Sequence, residues 1–244
     1  MNYENFIRAN TRLQRVPLAP EISLHLADDS TALWHLTEEA LEKTGLPPPF
    51  WAFAWAGGQP LARHVLDHPE LVCGKRVLDF AAGSGLAGIA AAMAGAAQVE
   101  AVDIDPFAIA AIALNSAANG VVLDARAADI VGEEGGWDVV LAGDIAYERD
   151  TAARVTAWLE RLAEAGALVL IGDPGRSYLA RQKLAAVASY AVPVTRDLED
   201  CEVKTGIVYV FRQCERGDAT QSLPQSEQHE GWVASLERNN LLSR

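Results

Sequence analysis

Asp79, Gly83, Gly85 and Asp103 are spaced so that a glycine-rich turn lies between two carboxylates, an arrangement that can cradle a ligand at the end of a strand. The run Arg76-Val-Leu-Asp79-Phe-Ala81-Ala-Gly83-Ser-Gly85-Leu-Ala-Gly88 takes an apolar strand into a small-residue turn and then into an Ala-rich helix. Glycines at such a turn admit positive φ and close approach of a ligand, and the helix aims its free N–H groups at it. Gly83-x-Gly85-x-x-Gly88 also fits the dinucleotide fingerprint. Asp79 separates the two readings. A carboxylate ahead of the turn repels a pyrophosphate, whereas the sulfonium and ammonium of S-adenosylmethionine come without phosphate, so the acid favours the methyl donor.

Gln98-Val-Glu-Ala-Val-Asp103-Ile-Asp105-Pro reads as a second strand ending in carboxylates, about 20 residues past the glycines, the usual reach to a ribose diol. Asp103 is the expected ribose ligand, with Asp105 beside it; a polar strand end before a helix that starts at Pro106 accounts for the same residues. Asp129 follows the third strand, where it can accept from an adenine amino group or serve a surface turn. Trp55, in Phe50-Trp51-Ala-Phe53-Ala-Trp55-Ala-Gly57-Gly58, belongs either to the core or to the wall around the donor's methionine end. Asp144, Tyr147 and Glu148 end the fourth strand at the carboxyl edge, where ligands of open α/β sheets bind. Methyl displacement at a sulfonium needs collinear approach of a neutral nucleophile, so positioning dominates. A lysine of pKa about 10.4 is neutral in roughly one molecule per thousand at pH 7. Carboxylates would raise that pKa, which makes Asp144 and Glu148 orienters and early proton acceptors; the Tyr147 hydroxyl can hold the amine.

The elements that must carry these residues alternate. Strands are expected near 76–81, 98–103, 121–126, 137–143 and 167–172, and helices near 86–95, 106–119, 150–165 and 177–189. Val192–Arg196 and Gly206–Arg212 suit an antiparallel hairpin around the charged run from Asp197 to Lys204. The pattern predicts an α/β fold with a doubly wound, mostly parallel seven-stranded sheet, Rossmann-like in the methyltransferase manner. Residues 1–70 read as an N-terminal cap facing substrate and covering the cofactor, with a strand at 22–26 and a helix at 37–43 stopped by Pro47-Pro48-Pro49. Residues 71–212 are the S-adenosylmethionine-binding domain, and 213–244, rich in Gln, Ser, Glu and Asn, read as a disordered tail.

A chain of 244 residues with 50% hydrophobic composition can bury a full core. Its net charge of −13 argues against holding nucleic acid by phosphate neutralisation and suits a basic partner, such as a lysine-bearing protein surface. Cys73, Cys201 and Cys214 have no metal-ligand spacing and are odd in number, and the five histidines form no ligand pattern, so no metal is expected. No apolar run reaches membrane-span length, and Arg8, Arg12 and Arg15 interrupt any signal-peptide core, which points to the cytoplasm, or to an organelle matrix if a presequence has been removed.

The leader from Phe6 to Leu18, the segment Pro48–Gly58, the motif Asp79–Gly85 and Gly143-Asp144-Ile-Ala-Tyr147-Glu148 together resemble the bacterial relatives of the electron-transfer-flavoprotein β-subunit lysine methyltransferases, over about residues 4–212. The glycine motif alone specifies only a class I methyltransferase; the leader and the tryptophan segment are more particular. The resemblance implies a protein-lysine N-methyltransferase acting on the electron transfer flavoprotein β subunit or another protein lysine. It also carries a substrate-side role onto Asp144 and Tyr147, which match the Asp-x-x-Tyr element of the seven-β-strand protein methyltransferases. Ala81 departs from the pattern, standing where many class I enzymes place the first glycine. A small-molecule N-methyltransferase shares the same pocket. An NAD-dependent oxidoreductase would need a hydride-transfer site that the sequence does not offer.

Overall fold

The computed structural model describes residues 2–27, 33, 48–194 and 203–212. The expected helix at 37–43, the acidic run 197–202 and the tail 213–244 lie outside the described residues. The chain begins with α1 (Tyr3–Asn10), whose N-terminus is capped by the Asn2 side chain, and a two-stranded antiparallel ribbon of β1 (Arg12–Arg15) and β2 (Ser23–Leu26). A single 3₁₀ turn (Phe50–Ala52) leads to α2 (Gly58–Asp67). There follow β3 (Arg76–Phe80), α3 (Leu86–Met93), β4 (Gln98–Asp103), α4 (Pro106–Ala118), β5 (Asp124–Ala127), β6 (Val139–Gly143), α5 (Arg149–Glu164) and β7 (Leu168–Asp173). The last strands are β8 (Leu184–Pro193) and β9 (Val203–Phe211).

The seven strands β3 to β9 form one sheet in the order β5-β4-β3-β6-β7-β9-β8, parallel except for β9, which runs antiparallel to β7 and β8. The chain starts in the middle at β3, moves outward to β5, then returns to lay β6 against the other side of β3. That reversal opens a crevice at the carboxyl ends of β3 and β6, the place where open α/β sheets bind ligands.

Alternation along the strands divides the core between the two faces. Val77, Val99, Val139, Leu141 and Leu170 pack with Leu61, Val65, Leu86 and Ile89 of α2 and α3, and with Val16, Ile22 and Leu24 of the N-terminal ribbon. Leu78, Phe80, Val102, Val140, Val169 and Ile171 pack on the opposite face with Val155, Trp158, Leu159 and Leu162 of α5. The α5 set recurs at helical spacing, as one stripe of an amphipathic helix must. Helix α3 differs, since Leu86 to Ala91 are all buried, and its small side chains let it lie close on the sheet.

Helix α2 shows the same dependence on small residues. A Cβ on Gly172 would fall on the Gly57 carbonyl oxygen, one on Gly57 would fall on that of Gly172, and one on Gly206 would stand 2.5 Å from the Ala56 oxygen. The Gly57-Gly58 pair therefore serves an approach of backbone to backbone that carries the tryptophan segment onto the ends of β6 and β7.

One expected element is overturned. Residues 177–189 do not form a helix; a 3₁₀ turn (Arg181–Lys183) passes straight into β8, which pairs with β9 from Leu184↔Phe211 to Pro193↔Val203. The run Leu184-Ala-Ala-Val-Ala-Ser-Tyr has helical composition, but the backbone hydrogen bonds offered by β9 outweigh an intrinsic preference of a few tenths of a kcal/mol per residue, roughly. The hairpin expected at 192–196 and 206–212 is correspondingly longer, with a register irregularity between Ala186 and Ala188.

Candidate active site

The switch-point crevice holds a cavity of about 470 Å³. Its walls include Trp55, Asp79, Ala81, Gly83, Asp103, Asp105, Asp129, Asp144 and Tyr147, so nine of the eleven residues singled out from the sequence meet around one space. Gly85 and Glu148 are not on that wall. Gly85, with φ +79°, is the N-cap of α3, and a Cβ there would crowd Ile112 of α4. Glu148 is the N-cap of α5, and its Oε2 accepts from the Thr151 hydroxyl at 2.7 Å. An exposed carboxylate so engaged does not stand beside a reacting group in the cavity.

The cradle is built by hydrogen bonds from carboxylate to backbone. Asp79 is 2% exposed; its Oδ2 accepts from the Gly88 N–H at 2.7 Å, and that close contact needs glycine, because a Cβ on Gly88 would stand 2.9 Å from the same oxygen. Asp103 accepts from the Gly83 N–H through Oδ2 at 2.8 Å and from the Asp105 N–H through Oδ1 at 3.0 Å, which fixes the turn against the end of β4. Asp105 caps α4, its Oδ1 accepting from the Phe107 N–H at 2.8 Å. Ala81 holds φ +53° between these anchors, a left-handed conformation that costs a residue with a Cβ about 1–2 kcal/mol. The fully buried Asn115 closes the turn from below. It donates to the Ser84 carbonyl and accepts from the His25 N–H, both at 2.8 Å, which ties the N-terminal ribbon to the cradle.

Electrostatics in the cradle are one-sided. Burial pushes the Asp79 carboxyl up to about 8, with the Gly88 N–H opposing and the Asp103 charge adding. Burial raises Asp103 too, against the N–H groups of Asp105, Gly83 and Ile104, and pushes Asp105 up to about 6. None of the three makes an ion pair among the described residues. Asp129 differs. Its Oδ2 accepts from Arg154 at 2.8 Å and its Oδ1 from the Val131 N–H at 3.1 Å, which lowers its pKa.

The other wall is aromatic. Trp55 donates from Nε1 to the Phe50 carbonyl at 2.8 Å and meets the rings of Phe50 and Phe53 edge-on at 5.8 and 5.6 Å. Phe50 in turn lies 5.4 Å from the ring of Tyr147, a residue 53% exposed at the mouth. Trp51 stacks on Phe107 at 5.8 Å, and Tyr3 and Phe6 of α1 meet the same ring, so the leader and the tryptophan segment converge on the first turn of α4.

Asp144 has more partners than a residue free to face an acceptor. Its Oδ2 accepts from the N–H groups of Gly57 and Gly58 at 2.7 and 2.9 Å, and its Oδ1 takes the Arg176 guanidinium at 2.8 and 3.2 Å. Arg176 is absent from the residues singled out above, because the Asp-Pro-Gly of Gly172-Asp173-Pro-Gly175-Arg176 has turn composition sufficient in itself. A cation directly after a strand-end turn at the ligand-binding edge was the available signal.

Comparison with known proteins adds an independent line. Residues 64–171 match the family model described as Ribosomal protein L11 methyltransferase (PrmA). The chain is 38% identical over 217 residues to the electron transfer flavoprotein beta subunit lysine methyltransferase of Xenopus laevis, covering 85% of this chain and 86% of that protein. It is 35% identical over 220 residues to the human protein of the same name, covering 85% and 81%. Among solved structures, a ribosomal protein L11 methylase from Lactobacillus delbrueckii subsp. bulgaricus aligns with a TM-score of 0.47 at 20% identity, over 70% of this chain and 83% of that one. Identity at this level over more than four fifths of each chain means that the chain belongs to the electron transfer flavoprotein beta subunit lysine methyltransferase family.

Proposed function

We propose that this protein transfers a methyl group from S-adenosylmethionine to a lysine side chain of a protein substrate, and that the substrate is the electron transfer flavoprotein β subunit, as the names of its relatives suggest. The observation that carries the reading is the set of carboxylates, Asp79, Asp103 and Asp105, on one wall of the cavity, none of them ion-paired among the described residues. Such a wall repels a dinucleotide's phosphates and attracts the donor's cationic groups.

The residues present fit that donor. Asp103 spends one acceptor position of each oxygen on the turn, and a carboxylate has about four in all, so one on each oxygen remains for a ribose diol. Asp79 offers a buried carboxyl that ionises toward the ammonium and sulfonium on binding, Asp129 a carboxylate toward the adenine, and Ile104 and Trp55 apolar surface. When bound, S-adenosylmethionine supplies a methyl group activated by its attachment to a positive sulfur. The protein's part is placement. Phe50 and Tyr147 line the approach, exclude water from one side of the amine and leave the mouth open to a chain segment. Burial raises the Tyr147 pKa, with the Glu148 and Asp103 charges adding, so its hydroxyl stays protonated and can donate to or accept from the entering amine. We assign donor binding to Trp55, Asp79, Ala81, Gly83, Gly85, Asp103, Asp105 and Asp129, with Gly85 acting by shaping the turn. Tyr147 is assigned to the acceptor side.

No helix among the described residues is long and apolar enough to cross a membrane. The odd, unpatterned cysteines support a reducing compartment, and we place the protein in the cytoplasm.

The test is incubation of purified protein with isotopically labelled S-adenosylmethionine and electron transfer flavoprotein, followed by mass spectrometry of tryptic peptides. Label is expected on one or a few lysines of the β subunit. Tyr147→Phe should lower the rate about tenfold with donor affinity unchanged. Absence of label from every lysine of the β subunit would reject the reading.

A further inference from the structure

Contacts outside the cradle join three segments that are far apart in sequence. Arg176 donates from Nε and Nη2 to Asp144 Oδ1 at 3.2 and 2.8 Å, and Asp144 Oδ2 accepts from the N–H groups of Gly57 and Gly58 at 2.7 and 2.9 Å. The Asp144 N–H donates to the Gly172 carbonyl at 2.9 Å. Arg176 is itself set from behind, where Oδ1 of the fully buried Asp173 accepts from the N–H groups of Gly175 and Arg176 at 2.6 and 2.7 Å. Arg176 lines the donor cavity and also a second concavity of about 270 Å³ whose wall includes Tyr147, Pro174 and Tyr178.

Several features of this linkage exceed what a turn requires. Asp144 holds φ +55°, a conformation that costs a non-glycine residue roughly 1–3 kcal/mol and persists only where the surroundings over-determine it. Its side chain is 13% exposed, so the carboxylate depends on partners for its charge. Arg176 supplies a planar fork, which a point charge on a flexible stem does not reproduce. On the far side, Asp144 grips the two N–H groups that open α2, two and three residues after Trp55. A shift of the turn at 173–176 therefore pulls, through one guanidinium and one carboxylate, on the aromatic wall of the donor cavity.

We infer that Arg176 is a positioning residue: acting through Asp144, it holds the Phe50–Gly58 segment against the donor cavity and couples that wall to the turn at 173–178, beside the acceptor mouth. The inference deepens the methyltransferase reading and rests on it only for the identity of the donor.

The experiment measures S-adenosylmethionine affinity of the full chain by calorimetry for wild type, Arg176→Ala, Arg176→Lys, Asp144→Asn and the double variant Arg176→Ala/Asp144→Asn, with thermal unfolding followed in parallel. Arg176→Ala is expected to raise the donor Kd about tenfold, and Arg176→Lys to fall between it and wild type. The double variant should be no more than about twofold worse than the poorer single one, because both act through one linkage. As pH rises, the ratio of Arg176→Ala to wild-type Kd should shrink. Without its cation, Asp144 is left with burial and the Asp173 charge, which raise its pKa, against the Gly57 and Gly58 N–H groups, so it takes up a proton that higher pH removes. A turn of purely structural importance would give a constant ratio and multiplying losses. Arg176→Ala within twofold of wild type, or multiplying losses in the double variant, would overturn the inference. Should Arg176→Ala fail to fold, the same cycle is read with Arg176→Lys. Donor coupling that holds while no acceptor is methylated would count against the proposed function and leave this inference standing.

Discussion

The Asp79 carboxyl is placed so that its own ionisation should govern donor affinity, and Asp79→Asn isolates that effect because the amide oxygen can still accept from the Gly88 N–H. Burial pushes this carboxyl up to about 8 in the ligand-free protein, so most molecules carry it neutral at pH 7. A donor bearing a sulfonium and an ammonium binds the ionised form. Its apparent affinity should then be about tenfold below the alkaline plateau at pH 7 and about a hundredfold below it at pH 6, levelling above pH 8. Binding at pH 7 should release close to one proton, which calorimetry detects as a heat that changes with the buffer's ionisation enthalpy. Asp79→Asn should bind weakly at every pH, with the steep rise between pH 6 and 8 gone; the donor's own amine titrates in both proteins and cancels in the comparison. The stability of the ligand-free fold moves the other way. A carboxyl whose folded pKa is raised binds more protons folded than unfolded, so its stabilising contribution is full below about 4 and is lost as pH rises through about 8. Asp79→Asn should therefore melt above wild type at pH 8.5 and lose that advantage at pH 5. Equal pH dependence of donor affinity in wild type and Asp79→Asn would refute this account of the cradle.

Two further outcomes follow from the same geometry. Replacing Asp103 by Ala removes both the proposed diol contact and the anchor of the Gly83 N–H, and donor affinity should fall about 10- to 150-fold, the equivalent of roughly 1.5–3 kcal/mol for a charged hydrogen bond, with the fold retained by circular dichroism. Gly172→Ala puts a methyl group on the Gly57 carbonyl and should destabilise by about 1–3 kcal/mol. Since about 1 kcal/mol shifts a domain of this size by roughly 2–4 °C, a scanning melt that shows no loss would contradict the close packing of α2 on the sheet.

Local signals in the sequence are strong where a short segment carries its whole explanation. An apolar strand, a glycine turn and an Ala-rich helix follow one another within residues 76–93, and β3 and α3 stand there. The alternation of later strands and helices is enough for the doubly wound sheet, because parallel strands need crossover helices and each strand buried on both faces reads as a continuous apolar run. Carboxylates at the ends of β3 and β4 come to one wall because parallel strands in register end at the same edge. Composition misleads at 184–193, where alanines favour a helix in isolation and a neighbouring strand decides otherwise.

What the sequence by itself determined was the layer architecture and the set of acids at the carboxyl edge, since both depend on patterns within about 30 residues. Only the tertiary structure decided how those groups are spent. Asp144 is enclosed between the glycine pair and Arg176, and Asp79 is left buried without a cation among the described residues. Each of these outcomes depends on a partner distant in the chain or on exclusion of water by packed layers. Spacing along a strand fixes the edge at which a carboxylate stands, whereas its charge and its partners belong to the assembled sheet.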